Sequence, residues 1–306
     1  MTDYVLPHFD WLDEASALEV SLKRAASHLG PSPFLGVSLP GLLMWRDRYH
    51  YILARKGPAT FLLSSCPGEV YAPRPPVPFT EENLKTLFDY LHLVNGPPPG
   101  PSRVEGLTEP QALEAEKWGY AKRIVTTDYV YDREKLSGLH GDSYRDRRNE
   151  INGLARDNEI HLRPLEPSDL PACDDLYGHW MKDRSAHLDP IGRRMMEHSR
   201  AAHRQVLANH AAWGLEAWVL EVSRRFAAYS VVGPLQQDTL GVWAEVSDLT
   251  LRGASAYIFV NLCRNHSGFT WVNSGDAEFL PSLRESKEHW HPARRLLQYA
   301  VDPLRK

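Results

Sequence analysis

The stretch between residues 216 and 248 carries three successive strand signals, and this run most constrains the fold of the chain. Before it, residues 160–183 predict a strand, a proline-rich turn and a helix, and Asp189 followed by Pro190 opens a long helix as N-cap and first helical residue. After it, the pattern predicts a helix, a strand, a short helix and a last strand. The order βαα-βββ-αβαβ indicates an α+β fold in which helices flank one mixed, mostly antiparallel sheet.

The length of 306 residues exceeds what one hydrophobic core usually organises, which predicts two domains. The first part of the chain shows a similar succession of strands and helices, so we expect a second copy of the same kind of unit, although no repeat is visible in the sequence itself. The predicted domains are residues 1–125 and 126–306, and the motifs that suggest chemistry lie in the second.

The charge balance argues against a generally basic nucleic-acid-binding protein, because 35 Lys and Arg stand against 39 Asp and Glu, for a net charge of −4. A local basic patch on the surface remains possible. Cys66, Cys173 and Cys263 lie far apart, which predicts reduced thiols in the cytoplasm. No apolar run approaches the roughly 20 residues that span a bilayer, and the N-terminus lacks the pattern of a signal sequence. We expect a cytoplasmic protein, either free or at the membrane surface. The sequence does not determine its oligomeric state.

The segment "WVNSGDAEFLPSLRESKEHWHP", residues 271–292, starts as a buried strand, turns polar at Asn273 and runs into a short helix. That helix carries Arg284 and Lys287 one turn apart. A helix N-terminus with two nearby cations suits a phosphate group or a developing oxyanion. An equally open alternative is a solvated helix whose cations pair with neighbouring glutamates.

Another predicted strand ends in "WAEVSD", residues 243–248, on Glu245 and Asp248. A carboxylate among apolar neighbours can have a raised pKa and act as a general base, whereas the alternative is an edge carboxylate that faces water. Arg252 and Gly253, which follow, form a degenerate version of the pyrophosphate-binding turn of acyl-CoA acetyltransferases. Glu245 is therefore a candidate catalytic residue, and Asp248 and Arg252 are candidate substrate-binding residues.

Two stretches of the second domain are rich in arginine. The predicted helix from residue 190 to 210 has four arginines against one glutamate, and residues 141–152 hold three more arginines. Such a surface can follow a nucleic-acid backbone, and the alternative is an ordinary solvated face. The candidate contacts are Arg147, Arg148, Arg193, Arg194, Arg200 and Arg204. The histidines of the long helix lack i, i+4 spacing, so no metal site is predicted.

Three segments together resemble one protein family. "TDYVYDREKLSGLHGDSYRDRRNEIN", residues 127–152, is similar to a family segment that reads D-Y-x-Y, Leu, Leu-x-Gly and a Lys/Arg-Arg-Asn helix. Residues 160–180 are similar to the strand and helix that follow in the family. The closing family motif is matched by Asn273, Pro281, Leu283, Arg284, Lys287 and Pro292. The chain thus resembles the lysylphosphatidylglycerol synthase C-terminal domain family, a tandem pair of GNAT folds.

The resemblance implies transfer of an aminoacyl group from aminoacyl-tRNA, a co-substrate, to a hydroxyl or amine of a small-molecule, peptide or lipid acceptor, with no bound cofactor. It assigns Glu245 as the base or the group that positions the acceptor. Lys287, with Arg284 beside it, is expected to contact the terminal phosphate or the oxyanion. Asn273 and Asp276 are expected to hold the aminoacyl end of the donor, with the acid on its α-ammonium group. The arginines named above are expected to receive the acceptor stem of the tRNA.

The chain departs from the family pattern just after the last buried strand. The family usually has Asn-Arg-Glu-x-Asp-x-Gly there, whereas this chain has Asn273, Ser274 and Gly275, and its acid lies at Asp276 or Glu278. The difference leaves the transferred amino acid open. Two other functions stay open as well: an N-acyltransferase that uses acyl-CoA, and a noncatalytic pair of GNAT-like domains that binds a ligand.

Overall fold

The computed structural model describes residues 10–11, 28–66, 68–96, 102–185, 188–277 and 280–303. The described chain forms two compact units. The first takes the residues up to Leu42, Arg46–Thr127 and the chain from Leu296, and the second takes Leu43–Trp45 and Asp128–Arg295. The sequence-based division at residue 125 differs from these units, because the closing segment from Leu296 lies in the first unit, where its strand pairs with Val104–Leu107.

In the first unit, strands β1 to β4 form an antiparallel sheet in chain order. They are β1 (Asp10–Trp11), β2 (His50–Lys56), β3 (Ala59–Cys66) and β4 (Glu69–Tyr71). The helices in this stretch of the chain are α1 (Leu39–Met44), α2 (Glu81–Asn95) and α3 (Glu109–Lys117), and strand β5 (Val104–Leu107) lies between the last two. Leu84, Leu87 and Leu91 recur at helical spacing, so one face of α2 is fully buried in the core of this unit.

In the second unit the strand order is β6-β11-β10-β9-β8-β7. These strands are β6 (Tyr120–Asp132), which begins in the first unit, β7 (Ile160–Pro164), β8 (Glu216–Val222), β9 (Arg225–Gln236), β10 (Thr239–Ser247) and β11 (Trp271–Asn273). The last strand, β12 (Arg294–Pro303), lies between β5 and β6. Neighbours in the second unit run antiparallel except β10 and β11, which run parallel. This mixed sheet confirms the predicted α+β fold.

The helices of the second unit follow the predicted order. They are α4 (Arg133–Gly138), α5 (Arg145–Asp157), α6 (Leu170–Ser185), α7 (Pro190–Asn209), α8 (Ala254–Asn265) and α9 (Pro281–Glu288). As predicted, Asp189 caps α7: its side chain accepts a hydrogen bond from the backbone N–H of Gly192 at 2.7 Å. Among the described helices, none is both long enough and apolar enough to cross a membrane.

Aromatic side chains fix α8 and α9 on one face of this sheet. Phe259 of α8 meets Tyr131 of β6 with 5.9 Å between ring centroids, and it meets Trp290, just after α9, at 5.1 Å. All three rings are buried, and each packs edge-on against its neighbour, an arrangement that adds to the stability gained from burial. The end of α9 is therefore held close to β6 and α8.

The parallel pair of β10 and β11 is short and opens into a gap. Thr239–Gly241 pairs with Trp271–Asn273, where β11 ends, while β10 continues to Ser247. Among the described residues, β9 alone pairs with β10 beyond Gly241. The edge of β10 from Val242 onward is therefore open on the side of β11, and this opening positions the candidate site.

Gly253, the N-cap of α8, lies against α5 in a backbone conformation that side chains disfavour. Its φ is +93°, and a Cβ atom there would lie 2.5 Å from the carbonyl oxygen of Glu150. We expect Gly253→Ala to lower the free energy of unfolding by about 2 kcal/mol or more, because the strain and the steric contact both oppose the methyl group. Urea unfolding measures the change. The control is Gly268→Ala, since a Cβ at that position meets nothing within 4 Å; equal losses in both variants would contradict this packing.

Candidate active site

Glu245 lies on the open part of β10, half-buried and opposite Ser230 of β9. Its Oε1 accepts a hydrogen bond from the Ser255 hydroxyl at 3.4 Å, while its Oε2 is buried and has no hydrogen-bond partner among the described residues. Burial raises the pKa of Glu245 to about 7, although the Ser255 hydrogen bond and the Lys287 charge act to lower it. A carboxylate with such a pKa can accept and release a proton near neutral pH.

Lys287 lies in the last turn of α9 and directs its ammonium group at the turn that follows β11. Its Nζ donates to the carbonyl oxygens of Ser274 at 2.5 Å, Gly275 at 3.1 Å and Asp276 at 2.8 Å. Each of the three ammonium protons thus has an acceptor. Burial lowers the pKa of Lys287 to about 8, against the raising effect of nearby carboxylates, of which Asp276 acts most strongly.

The structure brings the predicted base and the predicted cation together. Beyond the effects of burial, the Lys287 charge lowers the pKa of Glu245 and the Glu245 charge raises the pKa of Lys287, so the two groups share one site. Asp276 is exposed next to the Lys287 ammonium group, and Arg284 is exposed one turn earlier on α9. Glu278, the other predicted acid, lies outside the described residues.

Both ends of the Asn273 side-chain amide bind other groups of the protein, whereas the sequence predicted a contact with the donor. Asn273 is fully buried, its Nδ2 donates to Asp128 Oδ2 at 2.9 Å, and its Oδ1 accepts from the Gly275 backbone N–H at 2.7 Å. A side chain with both amide ends engaged and no exposed surface cannot hold the aminoacyl end of a donor in this conformation. Asn273 therefore shapes the turn after β11, and Lys287 holds the same turn from the other side.

Two buried hydroxyls near Glu245 and Lys287 make no hydrogen bond of normal geometry among the described residues, although the first lies close enough to Glu245 to help lower the pKa of its carboxyl. These are the Oγ atoms of Ser230, opposite Glu245 in the sheet, and of Ser274, whose carbonyl binds Lys287. Ser274 lies near Tyr131, whose hydroxyl donates to the Lys287 carbonyl oxygen at 3.0 Å. Buried polar atoms in proteins almost always have a partner, so the two hydroxyls and Glu245 Oε2 indicate a place for polar ligand atoms or water.

Asp248 and Arg252, the other predicted substrate-binding residues, have partners within the protein. The Asp248 carboxylate accepts from the Thr250 N–H at 2.9 Å and the Thr250 hydroxyl at 2.7 Å, and it also accepts from Arg225. These contacts outweigh the raising effect of burial and lower the pKa of Asp248. Arg252 is exposed, 3.6 Å from the Glu150 carboxylate. Asp248 thus stabilises its own turn, and substrate binding by Asp248 and Arg252 stays a prediction.

Arg200 and Arg204 of α7 are committed to an internal ion pair. Each donates through Nε and Nη2 to the carboxylate of Asp174 on α6, at 2.6 to 2.8 Å. The hydrogen bonds from Arg204 and Arg200 hold the pKa of Asp174 well below its usual range. Both arginines thus join two helices, and their contact with tRNA stays a prediction.

The arginines of α5 are also bound internally. Arg148 donates to the carbonyl oxygens of Leu139 and of Gly141, the latter at 2.6 Å. Arg147 pairs with Glu150 at 2.8 Å and stacks on the Trp290 ring, 5.0 Å from its centroid. Of the six predicted tRNA contacts, Arg193, Arg194 and Arg204 are exposed, and the first two lie near the start of α7.

Sequence reasoning did not identify Asp128, Tyr131, Ser230 or Ser255 as members of this site. Ser230 offered a signal, since it is a polar residue within the apolar run "AAYSVV" of β9. Asp128 and Tyr131 lie in the segment that resembles the family, but their contacts to Asn273 and Lys287 join positions about 150 residues apart, at separations of 145 and 156.

Comparisons with known proteins identify the family of the chain. A model of the family described as phosphatidylglycerol lysyltransferase, C-terminal, matches residues 36–301. That range contains every candidate residue discussed above. Among curated proteins, no sequence matches the chain.

Solved structures share the fold at low sequence identity. A conserved protein of unknown function from Bacteroides thetaiotaomicron aligns with a TM-score of 0.80 and 20% identity, over 96% of this chain and 99% of that chain. The structure of L-PGS from Bacillus licheniformis aligns with a TM-score of 0.63 and 12% identity, over 94% and 92%. A tandem GNAT protein from the clavulanic acid biosynthesis pathway aligns with a TM-score of 0.52 and 9% identity, over 96% and 98%. These alignments confirm the predicted tandem GNAT-like fold.

Lys287→Met is expected to lower the free energy of unfolding by about 1 to 3 kcal/mol, because three carbonyl oxygens of the turn after β11 lose a charged donor. Thermal and urea unfolding measure the loss. The control is Arg284→Met on the same helix, whose exposed side chain should change stability by about 0.5 kcal/mol or less. An unchanged melting temperature in Lys287→Met would mean that the ammonium group does not hold this turn.

Proposed function

Because the chain belongs to the phosphatidylglycerol lysyltransferase C-terminal family, we propose that it is an aminoacyltransferase with aminoacyl-tRNA as donor. Family and fold together point to an acyltransferase. The observation that carries the proposal is that the half-buried Glu245 carboxylate, at the open edge of β10, lies close enough to the Lys287 ammonium group for the two charges to interact. Acyl transfer needs a base for the nucleophile and positive charge near the tetrahedral oxyanion, and this pair offers both.

In the proposed step, a hydroxyl or amine of the acceptor attacks the carbonyl carbon of the aminoacyl ester. Glu245 takes the proton of the attacking group as the new C–O or C–N bond forms. The tetrahedral oxyanion then collapses, the ester bond to the terminal ribose breaks, and the ribose oxygen receives the proton from Glu245. Because the ester is already activated, positioning and electrostatics supply most of the acceleration.

Lys287 would act through its charge, not through the direct contact that the sequence suggested. Its three N–H groups already donate to carbonyl oxygens, so a bond to an oxyanion or phosphate would require one of these to break. A fixed positive charge in a half-buried site stabilises a nearby oxyanion without touching it, because the effective dielectric there is well below that of water. Arg284 and Asp276, both exposed, are the groups on this side that can meet the phosphate and the α-ammonium group of the donor.

The acceptor side of the proposal rests on the polar atoms that lack partners. Glu245 Oε2 would accept the proton of the attacking hydroxyl or amine, and the Ser230 hydroxyl would orient that group from the neighbouring strand. These contacts recognise a single O–H or N–H group, which small molecules, peptides and lipids can all present. The rest of the acceptor would make no contact with Glu245 Oε2 or the Ser230 hydroxyl.

The packing at the start of α8 supports aminoacyl-tRNA over acyl-CoA as donor. The backbone of Glu150 approaches Gly253 so closely that a Cβ there would lie 2.5 Å from the Glu150 carbonyl oxygen. The Glu150 carboxylate, paired with Arg147 and 3.6 Å from Arg252, lies at the same end of the helix. The close approach of the Glu150 backbone covers the start of this helix, which opposes its use as a pyrophosphate-binding turn.

If aminoacyl-tRNA is the donor, the protein would act in the cytoplasm and would need a surface that binds the acceptor stem. Arg193 and Arg194 near the start of α7 are exposed candidates for backbone contacts. Two contacts of this kind give a weak and salt-sensitive attraction, since each neutralised phosphate releases about one counterion.

The donor can be tested directly with the purified chain. It is incubated with a mixed pool of radiolabelled aminoacyl-tRNAs and, separately, with radiolabelled acetyl-CoA, each with a small-molecule and lipid extract as acceptor. We expect label to leave the tRNA and to appear in an extract component, and Glu245→Gln to slow this transfer about a hundredfold or more. Transfer of label from acetyl-CoA alone would overturn the proposal, and the absence of transfer from both donors would favour a noncatalytic binding protein.

The pH dependence of transfer tests the roles of the two groups. The rate should rise as Glu245 ionises near pH 7 and fall as Lys287 loses its proton near pH 8, and the pair should titrate together. The folded-state pKa of Glu245 lies above its ordinary value, so its ionisation destabilises the fold as pH rises through about 7. Glu245→Gln should therefore unfold at a higher temperature than the parent at about pH 8 and lose this advantage at about pH 4. The opposite order would contradict the burial of this carboxylate.

A further inference from the structure

We propose that the second unit has another small-molecule site, between α6, α7 and β9, which binds an organic monocarboxylate with an apolar body. A cavity of about 420 Å³ lies there, within the size range of small-molecule pockets. Tyr229 of β9 lines it, whereas the next residue, Ser230, lies opposite Glu245. Successive side chains of a strand point to opposite faces, so this cavity lies on the other side of the sheet from the Glu245 carboxylate.

The walls of the cavity suit an apolar ligand body. Leu170, Pro171 and Cys173 contribute from α6, and Leu207 and Ala208 contribute from α7. The ring of Tyr177 also lines the cavity, and it packs edge-on against His203 with 4.8 Å between centroids. An alkyl chain or an aromatic ring would lose its contact with water against these groups.

His203 and Tyr229 provide one directed hydrogen-bond donor inside the cavity. Their Nδ1 and hydroxyl oxygen lie 2.9 Å apart. Burial lowers the pKa of His203 to about 4 and raises that of Tyr229, so both groups are neutral at physiological pH. The buried Tyr229 hydroxyl has to donate its proton, and Nδ1 is the acceptor at hand. The proton of the imidazole then lies on Nε2, where it can bind a ligand oxygen.

Charge at the rim favours a monoanion. Arg200 and Arg204 line the cavity together with Asp174, so two positive charges stand against one negative charge. Each arginine uses Nε and Nη2 for Asp174, which leaves its Nη1 group for another partner. Arg204 is the more accessible of the two, with 58% of its side chain exposed. A carboxylate fits this single net charge and the planar guanidinium geometry, whereas a phosphate dianion would place excess negative charge beside Asp174.

The site is tested on the full chain with octanoate, using 1-octanol, octylamine and inorganic phosphate as comparison probes. Isothermal titration calorimetry gives the Kd, and the melting temperature gives an independent measure of binding. We expect octanoate to bind and stabilise the protein, 1-octanol to bind about tenfold more weakly or worse, and octylamine and phosphate to have no effect. Equal binding of octanoate and octylamine, or no binding of octanoate at millimolar concentration, would overturn the proposal.

Two variants locate the site. Arg204→Met should weaken octanoate binding about tenfold or more, because the carboxylate loses its most exposed partner while Asp174 keeps Arg200. Arg193→Met removes the same charge from an exposed position of the same helix outside the cavity lining, and it should leave the octanoate Kd unchanged. Ala208→Trp places a large ring in the cavity from an exposed position and should abolish the binding of octanoate and 1-octanol. Octanoate binding unaffected by Arg204→Met would overturn the assignment, whatever the fate of Ala208→Trp.

Discussion

The contact of the Lys287 ammonium group with three consecutive carbonyl oxygens is the interaction on which the candidate site depends. It holds the turn after β11 from the side of α9, while Asn273 holds the same turn from the side of β6 through Asp128. β11 ends where this turn begins, and β10 runs on beside an open edge. Without a fixed turn at this point, the chain after β11 could continue along β10 and close the gap. The Lys287 side chain, held by three hydrogen bonds from its charged end, therefore limits the length of β11.

The burial of Glu245 and Lys287 sets the electrostatics of the site. Burial moves the pKa of Glu245 upward to about 7 and the pKa of Lys287 downward to about 8, so the two values lie close together on either side of neutrality. The attraction between the two charges limits both shifts, since each group favours the charged form of the other. A carboxylate that takes and returns a proton during acyl transfer works best with a pKa near the working pH. Destabilising burial is thus the physical source of the chemistry proposed for this site, as is common where stability and activity compete.

The fold class could be predicted from the sequence, and so could the presence of Glu245 and Lys287 in one domain, whereas the contacts made across the sheet could not. The order of strands and helices, the cap at Asp189 and the spacing on α9 are local signals, and the structure agrees with them. Asn273 was predicted to hold the donor because it matches the closing motif of the family. Its actual partner, Asp128, lies 145 residues away, and no local pattern could reveal that pairing. Glu245 was predicted from its apolar neighbours. The position of Ser230 opposite Glu245 follows from the register of β9 and β10, which the sequence alone does not show.

The arginines of α5 and α7 show why a cluster of basic residues in a sequence can overestimate the surface available for binding nucleic acid. Four of the six are bound inside the unit: two to Asp174, one to backbone carbonyls and one to Glu150 and an aromatic ring. Cations that stabilise helix packing offer less to a phosphate backbone, because part of their donors and of their charge is already engaged within the protein. With a net charge of −4 on the whole chain, general electrostatic attraction to tRNA would be weak as well. In the proposed function, recognition of a charged tRNA would then depend mainly on its activated end, which would meet Asp276 and Arg284 at the mouth of the site. An enzyme that holds the common part of its donor loosely can release the spent tRNA quickly after the aminoacyl group has left.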